Sequence, residues 1–272
     1  MYEEMEHKFV EMGGTILKNY EVIKINNTKN KINSIICLND KTKIEIKADI
    51  FISSMPVKDL INGMNKVPKN INNIATNLPY RDFITVGLVV DKLKIKNTTK
   101  IKTLNNIVPD CWIYIQSTDV KLGRIQIFNN WSPYLVKDIE NTISLGLEYF
   151  CFENDELWNM TDKQLQEFAK KELIEIGVLD NDSKTIDYHV ERVQKAYPAY
   201  FDSYSDFPKV KEYLNNFNNL YCIGRNGQHR YNNMDHSMLC GMICVDNIIN
   251  NIKYKENIWN VNTEESYHEE KK

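Results

Sequence analysis

The segment Leu220-Tyr221-Cys222-Ile223-Gly224-Arg225-Asn226-Gly227-Gln228-His229-Arg230-Tyr231-Asn232-Asn233-Met234-Asp235-His236-Ser237-Met238 carries the densest information in the chain. A short apolar run enters a glycine, Arg225, His229 and Arg230 follow, and a helical pattern opens near Asn233. Residue types in this order build a receptor for an anion or a dipole. Glycine lets a backbone approach closely, the N–H groups of a helix start carry partial positive charge, and arginine adds a fork of donors. The helix that follows, over about 233–249, sets Met234, Met238, Met242, Val245 and Ile249 on one face.

Working outward, residues 48–54 (Ala-Asp-Ile-Phe-Ile-Ser-Ser) form a short continuous apolar run closed by small polar residues. A strand buried on both faces of a parallel sheet reads this way, and ligands gather at the carboxyl ends of such strands. Ahead of it, Met5, Phe9 and Met12 fall on one helical stripe that Gly13-Gly14 ends. Strands are expected over 16–25, 32–38 and 43–47, with a turn at Asn39-Asp40-Lys41. The middle of the chain predicts a mixed or antiparallel sheet from 83–90, 111–116, 124–128 and 143–150, with a further strand at 186–190. A helix over 162–176 opens on a Thr161/Gln164 capping box and buries Leu165, Phe168, Ala169, Leu173 and Ile176. Residues 253–272 read as a polar tail.

The chain has 272 residues, 42% hydrophobic and 11% aromatic, with 10 Gly and 7 Pro, which is ample for a core and excludes wholesale disorder. A net charge of -3 with mixed signs offers no electrostatic footprint for nucleic acid. No apolar run approaches the length of a membrane span, and six Cys without a C-x-x-C pair suit buried thiols in a reducing cytoplasm. Cys240 and Cys244 have the spacing of two metal ligands on a helix, but no further ligand falls at a matching distance, so no metal is expected.

Gly224-Arg225 followed by Tyr231-Asn232-Asn233-Met234-Asp235 resembles the C-terminal flavin-binding signature of the FAD-dependent amine-oxidase superfamily, in its protoporphyrinogen-oxidase-like and UDP-galactopyranose-mutase-like branches. Tyr197-Pro198 is similar to the Tyr-Pro that precedes this signature in the mutases. Gly13-Gly14, the strand around Val22, and residues 48–56 resemble the family's second flavin-domain segment, and Tyr80-Arg81-Asp82, residues 129–133 and residues 146–150 its substrate-domain blocks. The implied fold is mixed α/β, a partial FAD-binding Rossmann-like domain contributed by both chain ends around an inserted mixed or antiparallel substrate sheet. Its segments would be 1–56 (flavin domain), 57–215 (substrate domain), 216–252 (flavin domain) and 253–272 (tail).

One part of the family pattern is missing. Its opening strand–Gly-x-Gly-x-x-Gly–helix, which seats the FAD pyrophosphate, matches none of the 10 glycines. The sequence therefore reads as the C-terminal half of a flavoenzyme: a truncated gene product, a split protein completed by a separately encoded N-terminal half, or a fragment of a longer reading frame, with an inactive remnant as the non-enzymatic alternative. The strand ending at Ser54 would then lack neighbours and expose an apolar edge.

By the same resemblance, Gly224, Arg225, Met234 and Asp235 line the ribityl, phosphate and pyrimidine side of FAD, and Val22 touches its adenine end. Trp131, Tyr197, Tyr200 and Tyr204 are candidates for an aromatic wall against a small-molecule substrate. Arg81, Arg124 and Lys195 are candidates for clamping a carboxylate or phosphate, each with a salt-bridged surface as its plainer alternative. Glu148 stands out in the Gly-Leu-Glu-Tyr strand, where an exposed strand position is the plainer reading. His229 and His236 flank the signature, but no spacing gives either a catalytic role, and no catalytic residue is assigned. The expected activity is hydride transfer from a small molecule to flavin; the alternative is a mutase-like, flavin-dependent isomerisation of a sugar nucleotide.

Overall fold

A computed structural model describes residues 1–263; the expected tail beyond, with Glu264-Glu265 and Glu269-Glu270, lies outside the described residues. In chain order the elements are α1 (Tyr2–Glu11), β1 (Glu21–Asn27), β2 (Ile32–Asn39), β3 (Thr42–Ile46), β4 (Phe51–Ser53), α2 (Val57–Gly63), α3 (Lys69–Thr76) and β5 (Tyr80–Val90). There follow β6 (Trp112–Tyr114), β7 (Arg124–Ile127), α4 (Phe128–Trp131), β8 (Ile143–Cys151), α5 (Glu156–Asn159), α6 (Asp162–Glu175) and β9 (Thr185–Pro198). The chain closes with α7 (Phe207–Asn215), β10 (Leu220–Cys222), α8 (Gly224–Gly227), α9 (Met234–Ile249) and α10 (Glu256–Trp259).

Among the described residues these elements form two compact units, the first from residues 1–79 and 198–263, the second from residues 80–197. In the first unit β1, β2 and β3 make an antiparallel meander in register Ile25↔Ile35 and Cys37↔Ile44, and Asp40 takes the left-handed turn the sequence marks. The other sheet pairs β4 with β10 in parallel, Phe51 opposite Leu220 and Ser53 opposite Cys222. The two chain ends thus meet in one parallel layer, as expected. α9 packs its Cys240, Cys244 side against Tyr221 and Ile258. Its stripe Met234, Met238, Met242, Val245 and Ile249 faces outward instead, and no residue of α1 is buried.

The second unit is a five-stranded sheet in the order β6-β7-β8-β5-β9, with β5–β8, β7–β8 and β6–β7 all antiparallel. Side chains alternate along a strand, so Leu145, Leu147 and Tyr149 of β8 share the core with Val86 and Leu88 of β5 and with Leu165, Ala169 and Leu173 of α6. The Thr161/Gln164 capping box opens α6 as the sequence predicts, and Gly177 follows its end with a positive φ of 78°.

Four expectations change. The strand over 16–25 starts only at Glu21, because Asn19 turns the chain with φ 63°. The strand expected at 186–190 extends to 14 residues. Helices α2, α3 and α7, which the sequence reading placed with the substrate domain, bury Leu60, Ile74 and Val210 in the first unit. The tail begins later than position 253. Ile258 and Trp259 of α10 are buried, Trp259 donating from Nε1 to Asn215 Oδ1 at 2.9 Å and Asn262 donating to the Tyr231 carbonyl at 2.8 Å.

Candidate functional site

In the first unit the strand ends carry a built turn. Ile223 N–H donates to the Ser53 carbonyl at 3.0 Å, so the chain leaves β10 still tied to β4. Gly224 then takes φ +74°, a conformation glycine adopts without cost. At Gly227 a Cβ would lie 2.6 Å from the Ser53 carbonyl oxygen, so α8 presses its backbone directly onto the end of β4. Arg225 donates from Nε to the Asn232 carbonyl at 2.9 Å and lies over the Tyr231 ring at 4.7 Å. Tyr200 accepts from the Tyr231 amide at 2.5 Å, and the Arg230 guanidinium is 5.9 Å from the Tyr200 ring.

Behind this loop is a buried polar layer. Gln228 donates to the Ile258 carbonyl at 2.9 Å and accepts from Asn232 at 3.0 Å. His229 has φ 46°, is fully buried, and contacts the Ala199 carbonyl through Nε2 at 3.1 Å. Burial pulls its imidazole down to about 4, so the ring is neutral near neutral pH. His236 closes a capping box with Asn233 at the start of α9, where Met234 and Asp235 are exposed. Val22 lines an apolar groove of about 230 Å³ with Ile25, Ile35, Phe51 and Ile52. That volume suits one end of a ligand rather than a whole dinucleotide.

The five residues expected to face FAD thus fall in the first unit, four of them within this loop and the first turn of α9. The left-handed Gly224 and the exposed first turn of the 16-residue α9 are the features on which the expectation of a flavin contact rests. The chain supplies no glycine-rich turn for the pyrophosphate.

In the second unit, the sheet face opposite the core carries the other candidates. The register sets Thr85, Glu148, Arg124 and Tyr114 in one row across four strands, with Phe83 opposite Phe150 in the next. Arg124 and Glu148 are 4% and 3% exposed, and their side chains pair through Arg124 Nε. Glu148 also accepts from Gln126 at 2.5 Å, and Arg124 Nη2 donates to Tyr197 Oη at 2.9 Å. The guanidinium lies 4.9 Å from the Trp112 ring and 5.1 Å from that of Phe150. Trp131, fixed by an Nε1 bond of 3.1 Å to the Cys111 carbonyl, meets Trp112 edge-on at 6.0 Å.

Arg124, Trp131 and Tyr197 are therefore brought to one sheet face. Arg81 lies on β5 with the parity of Phe83, and Lys195 donates its amide to Asp82 at 2.8 Å from a left-handed position. Tyr200 and Tyr204 belong to the first unit, their rings 4.7 Å apart. The exposed-strand alternative for Glu148 is corrected, since the Arg124 pairing buries it. Trp112, Tyr114 and Gln126 were not singled out from the sequence. The alternation Trp112-x-Tyr114 beside Arg124-x-Gln126 is the signal that marks them, once the β6–β7 register is known. Among the described residues no group of three or more His, Cys, Asp or Glu side chains is placed to hold a metal ion, and Cys240 and Cys244 are buried.

No family model matches the sequence, and no curated protein matches it. Solved structures do match in fold. A reduced UDP-galactopyranose mutase matches with a TM-score of 0.74 at 20% identity, over 96% of this chain and 53% of its own. A putrescine oxidase bound to putrescine matches at 0.59 and 12% identity, over 91% and 52%, and a CLA-producing fatty acid isomerase from P. acnes at 0.52 and 11%, over 89% and 50%. The chain therefore shares its fold with these solved structures. The chain spans about half the length of the proteins it matches. Among the described residues no helix is long and apolar enough to cross a membrane.

Proposed function

We propose that this chain supplies the C-terminal flavin receptor and the substrate sheet of a flavin-dependent enzyme acting on a sugar nucleotide. The observation that carries the reading is Arg124 set among aromatic rings. Glu148, the carboxylate of this face, is committed to the Arg124 guanidinium and to Gln126 and so is not left to pair a cationic amine substrate. Exposed rings beside Arg124 suit stacking on a sugar or base. The mutase match, with a TM-score of 0.74 against 0.59 for the putrescine oxidase, supports the same reading.

In this reading Gly224, Arg225, Met234 and Asp235 hold the ribityl and pyrimidine portions of FAD, and Val22 its adenine end. When bound, the flavin supplies the reactive centre. Glu148 holds the Arg124 side chain in place, and Gln126 holds Glu148. Trp112, Trp131 and Tyr197 orient the substrate ring and exclude water from it. The second reading, hydride transfer from a small molecule to flavin, is favoured by the family-wide flavin signature at Gly224-Arg225 and Met234-Asp235.

Calorimetry separates the two. UDP-galactose and UDP-glucose should bind the folded chain, and Trp112→Ala should abolish that heat without loss of the circular-dichroism spectrum. Binding of putrescine with no response to either UDP-sugar would overturn the first reading in favour of the second.

A further inference from the structure

The first unit holds a second cavity, of about 730 Å³, that shares no lining residue with the Val22 groove. Ligand pockets fall in the range of roughly 300–1,000 Å³. Its wall begins at Tyr200. Asp202 takes a left-handed φ of 49° and opens a single 3-10 turn, Asp202–Asp206, that runs straight into α7. This tight path brings the aromatic side chains of the segment together. The Tyr200 and Tyr204 rings lie 4.7 Å apart, Tyr204 stacks on Phe207 at 5.6 Å with 11° between planes, and Phe207 meets Trp259 of α10 edge-on at 6.1 Å. All four rings line the cavity, and Lys211 and Arg230 are its cations. Lys211 is paired with Glu256 at 2.5 Å, and Asp202, which also lines the cavity, is exposed, so water screens its charge. Arg230 is half-buried beside the Tyr200 ring, where a lower effective dielectric strengthens its pull on an anion.

We propose that this cavity is a small-molecule site of its own, taking a flat aromatic ring that bears a carboxylate or a phosphate. Rings arranged in this way offer faces and edges for a further ring. A guanidinium beside them stacks on flat groups and forks onto paired anionic oxygens. The same wall is bonded to the loop that carries Arg225. Tyr200 accepts from the Tyr231 amide at 2.5 Å. Asn262 donates to the Tyr231 carbonyl at 2.8 Å from within residues 259–263, of which Trp259, Asn260 and Thr263 line the cavity. An occupant therefore steadies both peptide groups of Tyr231, the residue over whose ring Arg225 lies. A ligand here acts on the Arg225 loop, and by reciprocity a flavin held by that loop acts on the ligand. Only this coupling rests on the flavin reading.

Calorimetry on the full chain tests it, with adenosine monophosphate and 4-hydroxybenzoate as the phosphate-bearing and carboxylate-bearing probes. Adenosine and inorganic phosphate serve as a ring without the anion and an anion without the ring. At least one of the two probes should bind one to one, and both controls should bind about tenfold or more weakly. Ser205→Trp, at an exposed lining position, fills the cavity and should abolish the heat with an unchanged circular-dichroism spectrum. Arg230→Gln should weaken binding about tenfold or more. No heat from either probe, or heat that survives both variants, would overturn the proposal. FAD is then titrated with and without the bound probe. Its Kd should shift about fivefold or more in the parent and stay unchanged in Tyr200→Phe, which lacks the bond to Tyr231. Independent affinities in the parent would overturn the coupling. A probe that binds a chain taking up no FAD keeps this site and refutes the flavin reading. FAD taken up by a chain that gives no heat with either probe does the reverse.

Discussion

At the scale of single residues, the strongest commitments are buried charges and a buried imidazole. Glu148→Ala leaves the Arg124 guanidinium buried without its carboxylate, and breaking such a pair costs about 3–5 kcal/mol. Thermal unfolding should show that loss, with Glu148→Gln milder because its amide oxygen still accepts. His229 makes stability depend on pH. Burial lowers its folded-state value to about 4 from an ordinary 6.5, so the unfolded chain takes up a proton first as pH falls. Its contribution is complete above about 6.5, declines through the interval, and levels off below about 4, a loss on the order of 3 kcal/mol. Urea unfolding at several pH values should show that decline in the parent and a weaker one in His229→Gln. Arg124, Tyr197 and Trp131 could be picked from sequence as residues able to bind, but not their grouping. Grouping depends on which residues face each other across β6, β7 and β8, and strand register is set by tertiary pairing.

At the scale of elements, the strands and the two long helices were legible because their periodicities run uninterrupted and end at capping residues or glycines. α2, α3 and α7 were not. Each is nine residues or fewer, and Asn and Lys break up apolar spacing that would otherwise show. The stripe of α9 was legible as a face, though not as an exposed one, since periodicity finds amphipathicity and does not say what covers it. The turn from β10 into α8 is the least tolerant element. Gly227→Ala drives a methyl against the Ser53 carbonyl and should cost about 1–3 kcal/mol and, on the proposed flavin reading, weaken FAD binding with it. Chemical denaturation with a parallel FAD titration checks both effects; unchanged stability would mean the two backbones can separate.

At the scale of the whole molecule, the two units differ in how the chain builds them. Residues 80–197 are continuous and own a core in which Ile84, Leu88, Leu147 and Leu173 are all fully buried. That segment should fold when expressed alone, with a sheet-type circular-dichroism spectrum and one cooperative melt. A fragment lacking such a melt would show that its core needs the first unit. The sequence reading expected an insertion with limits at 57 and 215, whereas the second unit runs from 80 to 197. Local patterns mark where elements start and stop, whereas membership of a core is decided by contacts between distant residues.

The pairing of β4 with β10 also has a consequence for synthesis. Asn219, which donates to the Asp49 carbonyl, follows it by 170 positions, so the first parallel strand leaves the ribosome long before its neighbour exists. At roughly 5–20 residues per second the wait is on the order of ten to thirty seconds. The inserted sheet, which ends with β9 at Pro198, is made within that interval, before residues 48–54 can pair with β10. Translation speed between the two strands therefore sets how long an apolar strand stands open to chaperones, and slow codons placed there would lower the yield of folded protein.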